Sequence, residues 1–127
     1  MRPIPPADAY STTPMSDHDS YAAMLAAVQA FHDKHDFQSK GGEDLTYRVA
    51  LMVEELGEIS AVVTKGHDSE QLAEEVADLF ILVLGTAISA DFDLRDAFWQ
   101  KMDRLMQRDS RMVNGRIRVS ASFDKPS

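Results

Sequence analysis

Cysteine is absent, so no disulfide and no thiolate metal ligand can form, and any metal must be held by oxygen or nitrogen. This fits a reducing compartment. No uninterrupted apolar stretch approaches the twenty or so residues of a membrane span, and no basic segment followed by an apolar run opens the chain. The expectation is a soluble, cytoplasmic protein with no membrane partner. Basic charge is also scarce, with 13 Lys and Arg against 21 Asp and Glu for a formal charge of -8. A nucleic-acid binder more often carries a net basic face, so no nucleic-acid partner is expected.

With 127 residues the chain is one domain by length, and small enough that an oligomer would help it bury more surface. The acidic excess is concentrated. Residues 43 to 78 hold ten acidic side chains against Arg48 and Lys65, while the remainder balances at eleven against eleven. The far end, with Lys101, Arg104, Arg108, Arg111, Arg116 and Arg118, is locally basic.

Taken in order, residues 1–15 contain Pro3, Pro5, Pro6 and Pro14 among small polar residues and read as a flexible tail. Ser16 is then the expected N-cap of a first helix, with Tyr21, Met24, Leu25, Val28 and Phe31 at helical spacing. Gly41-Gly42 marks a loop. A second helix carries its main apolar stripe at Leu45, Val49, Met52, Val53, Leu56, Ile59 and Val63, and a second row at Leu51, Glu55 and Val62. Two apolar faces predict a central helix. Gly66 ends it, Asp68 with Gln71 predicts the start of a third helix, and the run L-F-I-L-V-L makes that helix apolar nearly all round. Asp93 caps a fourth helix bearing Leu94, Phe98, Met102 and Leu105. Asn114-Gly115 between short apolar segments predicts a small β-hairpin over 112–119.

The chemistry concentrates in E-E-L-G-E at 54–58, a spacer of sixteen residues, and E-V-A-D at 75–78. Residues three apart share a helical face, so Glu55 with Glu58, and Glu75 with Asp78, each present two carboxylates from one helix. The rows Leu51, Glu55, Glu58, Val62 and Leu72, Glu75, Leu79, Leu82 place these acids among apolar residues. A buried unpaired carboxylate costs several kcal/mol, so such groups are normally paired or bound to a cation. Hard divalent cations take oxygen ligands, and Mg²⁺ commonly combines a few carboxylates with substrate phosphates. For Glu70 and Glu74 an ordinary solvated face is sufficient explanation. His35 reads as a solvated helix end and His67 as a surface residue in the turn. A di-iron carboxylate bundle is disfavoured, because neither acidic pair has a histidine at the Glu-x-x-His position.

Glu54-Glu55-x-x-Glu58, the sixteen-residue spacer and Glu75-x-x-Asp78 resemble the metal-binding signature of the MazG-like all-α NTP pyrophosphohydrolases. Phe31-His32, the Lys65-Gly66 turn and the downstream Lys101 to Arg108 segment extend the resemblance over roughly residues 20 to 111. It implies a four-helix all-α bundle over 16–111, assembled as a homodimer or homotetramer, with 112–127 as a C-terminal extension. It also implies hydrolysis of a nucleoside triphosphate to monophosphate and pyrophosphate, in nucleotide-pool house-cleaning. Mg²⁺, with Mn²⁺ as substitute, would be held by Glu55, Glu58, Glu75 and Asp78, and Glu54 would orient or deprotonate the attacking water. Lys101 and Arg108 would bind phosphate oxygens; Leu105 stands where family members often have Asn, so that either Arg104 covers the role or the phosphates sit differently. Phe31, His32 and Trp99 are candidates for stacking on the base. The alternatives are phosphoribosyl-ATP pyrophosphohydrolase and a helical dimerisation module that has lost its chemistry.

Overall fold

The computed structural model describes residues 18–66 and 68–120. The expected tail, Ser16 and His67 lie outside them. Among the described residues four helices follow one another, α1 (Tyr21–Lys34), α2 (Leu45–Thr64), α3 (Ser69–Ala90) and α4 (Leu94–Gln107), before strands β1 (Ser110–Val113) and β2 (Arg116–Val119). The protein is all-α with a terminal hairpin, as its periodicities predict.

Local chemistry starts each helix. A side-chain oxygen accepts from the backbone N–H three residues on: Ser20 from Ala23, Asp44 from Tyr47, Asp68 from Gln71 and Asp93 from Asp96. Each such cap stabilises by about 1 kcal/mol. The cap of α1 is Ser20 rather than Ser16, because Ser20 is extended at φ -153° and ψ 152° immediately before the first helical residue. Gly66, at φ 73°, takes the left-handed position just beyond α2 that a side chain would resist.

The described residues fall into two compact units that meet between Phe92 and Asp93. In the first, α2 packs along α3 and α1 packs on α3. Val28, Leu84 and Ala87 are its most buried apolar residues. Half-buried Leu51, Glu55, Ile59 and Val62 form the covered row of α2. The stripe expected to be the main buried one is only partly covered: Met52 and Ile59 are half-buried, but Leu45, Val49, Val53, Leu56 and Val63 are exposed, Val53 by 63 %. The reason is angular. At about 100° per residue the exposed positions lie roughly a third of a turn from the row that meets α3, so one neighbour cannot cover both.

The second unit holds α4 and the hairpin. Asn114 (φ 52°) and Gly115 (φ 77°) supply the two left-handed residues of the tight turn. Arg111 pairs with Arg118, Met112 with Ile117 and Val113 with Arg116, and β1 begins at Ser110, two residues before the predicted hairpin. Among the described residues no helix is long and apolar enough to cross a membrane.

Candidate functional site

Glu55 sits mid-way along α2, and Glu75 and Asp78 lie one turn apart on α3. Packing the two helices brings an oxygen of each of these three residues within 4.8 Å of the others. Glu55 and Glu75 are half-buried and Asp78 is exposed, so the group opens to solvent on one side. Oε2 of Glu55 and Oε2 of Glu75 are buried without a hydrogen-bond partner.

Electrostatics records the crowding. The Glu58 carboxylate, in hydrogen-bonding reach of Glu75, pushes the Glu75 pKa up to about 7, assisted by burial and by Glu55. Burial is the first cause raising Glu55, followed by the charge of Glu58. Two carboxylates can share a hydrogen bond only while one holds a proton. Once both ionise, the orphaned oxygens have no donor, and each would need a cation or water. Oxygen donors of this kind suit a hard divalent ion, and Glu55, Glu75 and Asp78 fit that role, with exposed Glu58 beside them.

Two acids of the group, Glu55 and Asp78, line an apolar groove of about 680 Å³. Glu54, Glu55 and Asp78 line it together with Met24, Val28, Phe31, Leu51 and Ile81, so α1, α2 and α3 all contribute to its wall. Glu54, off the ligand row, is exposed and faces this space. Phe31 is 45 % exposed and in edge contact with Phe37 at 5.3 Å between ring centres. A second cavity of about 360 Å³ shares Phe31 and Ile81 with the groove and is also lined by His32, Phe37 and Tyr47. His32 has a different setting. It is only 2 % exposed, its Nδ1 lies 3.4 Å from Oε1 of Glu43, and its ring is tilted against Phe37.

Lys101 and Arg104 are exposed on α4, and Arg108 is half-buried at its C-cap. Leu105 is half-buried on the same helix, and Trp99 is exposed with its ring edge-on to Phe98. These residues belong to the second unit, and the carboxylates to the first.

One buried residue two turns before Glu55 on α2 belongs to no motif of the sequence. Arg48 is 1 % exposed, and its three nitrogens donate to Oγ1 of Thr86 (3.1 Å), the Gly42 carbonyl (3.0 Å) and the Leu82 carbonyl (3.0 Å). Burial holds its pKa below the usual guanidinium value while the charge of Glu43 pulls it back up. A signal was available: Arg48 stands seven residues before Glu55, two helical turns away and therefore in the covered row.

The family model for the MazG nucleotide pyrophosphohydrolase domain matches residues 44–113, more than half of the chain. The match takes in every acidic residue of the cluster and all of α4. No curated protein and no solved structure matches the chain.

Proposed function

Because the chain belongs to the MazG nucleotide pyrophosphohydrolase family, we propose that it hydrolyses a nucleoside triphosphate to the monophosphate and pyrophosphate in a Mg²⁺-dependent reaction. The observation that carries this reading is the pair of orphaned buried oxygens on Glu55 and Glu75, beside Asp78, where Glu55 and Asp78 line the same groove as Phe31. Carboxylates left without donors in that setting are costly unless a cation or a proton meets them.

When bound, the divalent ion neutralises charge on the triphosphate and on the departing pyrophosphate. Glu55, Glu75 and Asp78, with Glu58, are its proposed ligands. Glu54 holds the attacking water and accepts its proton as the water oxygen bonds to the α-phosphorus, while the bond to the bridging oxygen breaks and the electron pair leaves with pyrophosphate. Phe31 supplies an apolar face for the base in the groove. His32, with its ring buried and its Nδ1 turned to Glu43, lines the second cavity rather than the groove and acts there as a wall, not as a stacking face for the base. Lys101, Arg104 and Arg108 are proposed to hold phosphate oxygens, a role taken from the family pattern. House-cleaning of the nucleotide pool is the proposed purpose.

A second copy of the chain is the proposed cover for Leu45, Val49, Val53, Leu56 and Val63, since an exposed apolar stripe along one helix marks an interaction surface. The test of the activity is pyrophosphate and monophosphate release from a panel of canonical, deoxy and modified nucleoside triphosphates, with and without Mg²⁺. Phosphoribosyl-ATP belongs in that panel. Turnover of none of them, with no change in melting temperature on adding Mg²⁺, would favour the helical-module reading.

A further inference from the structure

Two antiparallel helices must present Glu55 and Glu75 with Asp78 to a single point, and apolar contact alone is poorly suited to holding that alignment. Hydrophobic attraction is non-directional. A slip by one residue along an α-helix moves its side chains by about 1.5 Å and turns them by about 100°. Metal–oxygen distances tolerate only about 0.2 Å. Something directional has to set the register.

Arg48 has the geometry to do so. It lies two turns before Glu55 on α2, and on α3 it grips Leu82 and Thr86, which follow Asp78 by one and two turns. The hydroxyl of Thr86 accepts from Arg48 Nε and donates to the Leu82 carbonyl at 2.8 Å, so each oxygen on α3 is committed. A guanidinium fork is planar and rigid, and three bonds to fixed oxygens determine both axial position and rotation. Gly85 lies between the two acceptors, where a Cβ would overlap Nη2 of Arg48. The third bond, to the Gly42 carbonyl, extends the clamp to the loop before α2. That loop is in turn tied to Phe37 by Gly42 N–H donating to its carbonyl at 2.9 Å.

We infer that Arg48 is a positioning residue: through Thr86, Leu82 and Gly42 it sets the register of α2 against α3, and thereby the meeting of Glu55 with Glu75 and Asp78. A buried cation whose hydrogen bonds go to backbone and hydroxyl oxygens, with Glu43 acting on it only through its charge, is an expensive way to add stability alone. Registry is the use of buried polar groups that is best attested. The effect on turnover rests on the proposed pyrophosphohydrolase reading; the effect on register does not.

The experiment compares wild type with Arg48→Met, Arg48→Lys and Thr86→Val, at a temperature where circular dichroism shows each to be folded. Mn²⁺ affinity is read by electron paramagnetic resonance, and kcat and KM for pyrophosphate release on the best substrate of the panel. In Arg48→Met the Mn²⁺ dissociation constant should rise about 10-fold or more, the usual scale for losing an outer-shell support. The corresponding loss in turnover should fall mainly on kcat. Thr86→Val should move both in the same direction by a smaller factor, and Arg48→Lys should recover only part, since one ammonium cannot span three acceptors.

A register readout independent of metal is the nuclear Overhauser contact between Met52 and Thr86, whose Sδ and Oγ1 are 3.9 Å apart. It should weaken or shift in Arg48→Met. Retained cross-helix contacts and a Mn²⁺ dissociation constant within twofold of wild type would reduce Arg48 to a core strut and overturn the inference. If Arg48→Met does not fold, an unchanged Mn²⁺ dissociation constant in Thr86→Val does the same. A wild type that hydrolyses nothing defeats the activity reading, and the register inference is then decided by Mn²⁺ affinity and the Met52 contact.

Discussion

Gly85 packs against Arg48 so closely that a Cβ at Gly85 would overlap the guanidinium, and the same Cβ would stand 2.7 Å from Nε2 of His32. The only side chain that leaves room for both is hydrogen. Two buried polar residues from α1 and α2 therefore meet α3 at one bare stretch of backbone.

Gly85→Ala is expected to destabilise the protein, although alanine is the better helix former. Helix propensity favours alanine by about 1 kcal/mol. Overpacking in a closed site costs about 1–3 kcal/mol, and here the displaced groups are hydrogen-bonded. The net effect should be a loss of up to about 2 kcal/mol in urea unfolding; a gain in stability would mean that the Arg48 side chain yields without cost.

Removing single carboxylates should separate charge relief from metal binding. Glu75→Gln or Asp78→Asn should lower pyrophosphate release by at least about 100-fold, the scale on which a transition-state electrostatic contact acts. Without metal, Glu75→Gln should melt no lower than wild type at pH 8, because it removes one of the crowded charges. Adding Mg²⁺ should raise the melting temperature of wild type and leave that of Glu75→Gln nearly unchanged.

The raised pKa of Glu75 has a definite sign in pH. The folded protein holds this proton up to about 7, whereas an ordinary carboxyl group releases it near 4.5. Its stabilising contribution is therefore complete below about 4.5 and is lost as pH rises through about 7. The metal-free wild type should lose more melting temperature than Glu75→Gln between pH 5 and pH 8. Mg²⁺ competes with the same proton, so its stabilising effect should grow over that range.

Phe31→Ala tests the groove. Loss of an aromatic face that only binds should raise KM about 5- to 30-fold, corresponding to about 1–2 kcal/mol, with kcat little changed. Asp44→Ala provides a control away from the groove: it removes the α2 cap and should cost about 1 kcal/mol in stability while leaving KM as it is. Equal effects of Phe31→Ala on kcat and KM would place the ring closer to the reacting atoms than the groove suggests.

How much of this was legible in the chain depends on the range of each interaction. Helix starts at Asp68 and Asp93, the end at Gly66 and the turn at Asn114-Gly115 were readable, because each depends on backbone groups within three or four residues. The cap of α1 was less legible, because Ser16 and Ser20 offer the same side-chain chemistry and the capping contact is made by Ser20. The acidic rows were readable too, since helical phase alone puts Glu55 among apolar neighbours and Glu75 one turn from Asp78.

By itself, then, the sequence determined which carboxylates share a helical face, where helices begin and end, and that most of the chain is helical. Tertiary structure decided which of the two apolar rows of α2 meets α3, a choice that leaves Val53 in solvent and turns Glu55 inward. It also decided the fate of His32 and Arg48. Their burial depends on acceptors and a bare glycine on α3, more than thirty residues beyond Arg48. Helical phase is a property of neighbours along the chain, but which faces meet is set by the competition of whole surfaces for a few partners.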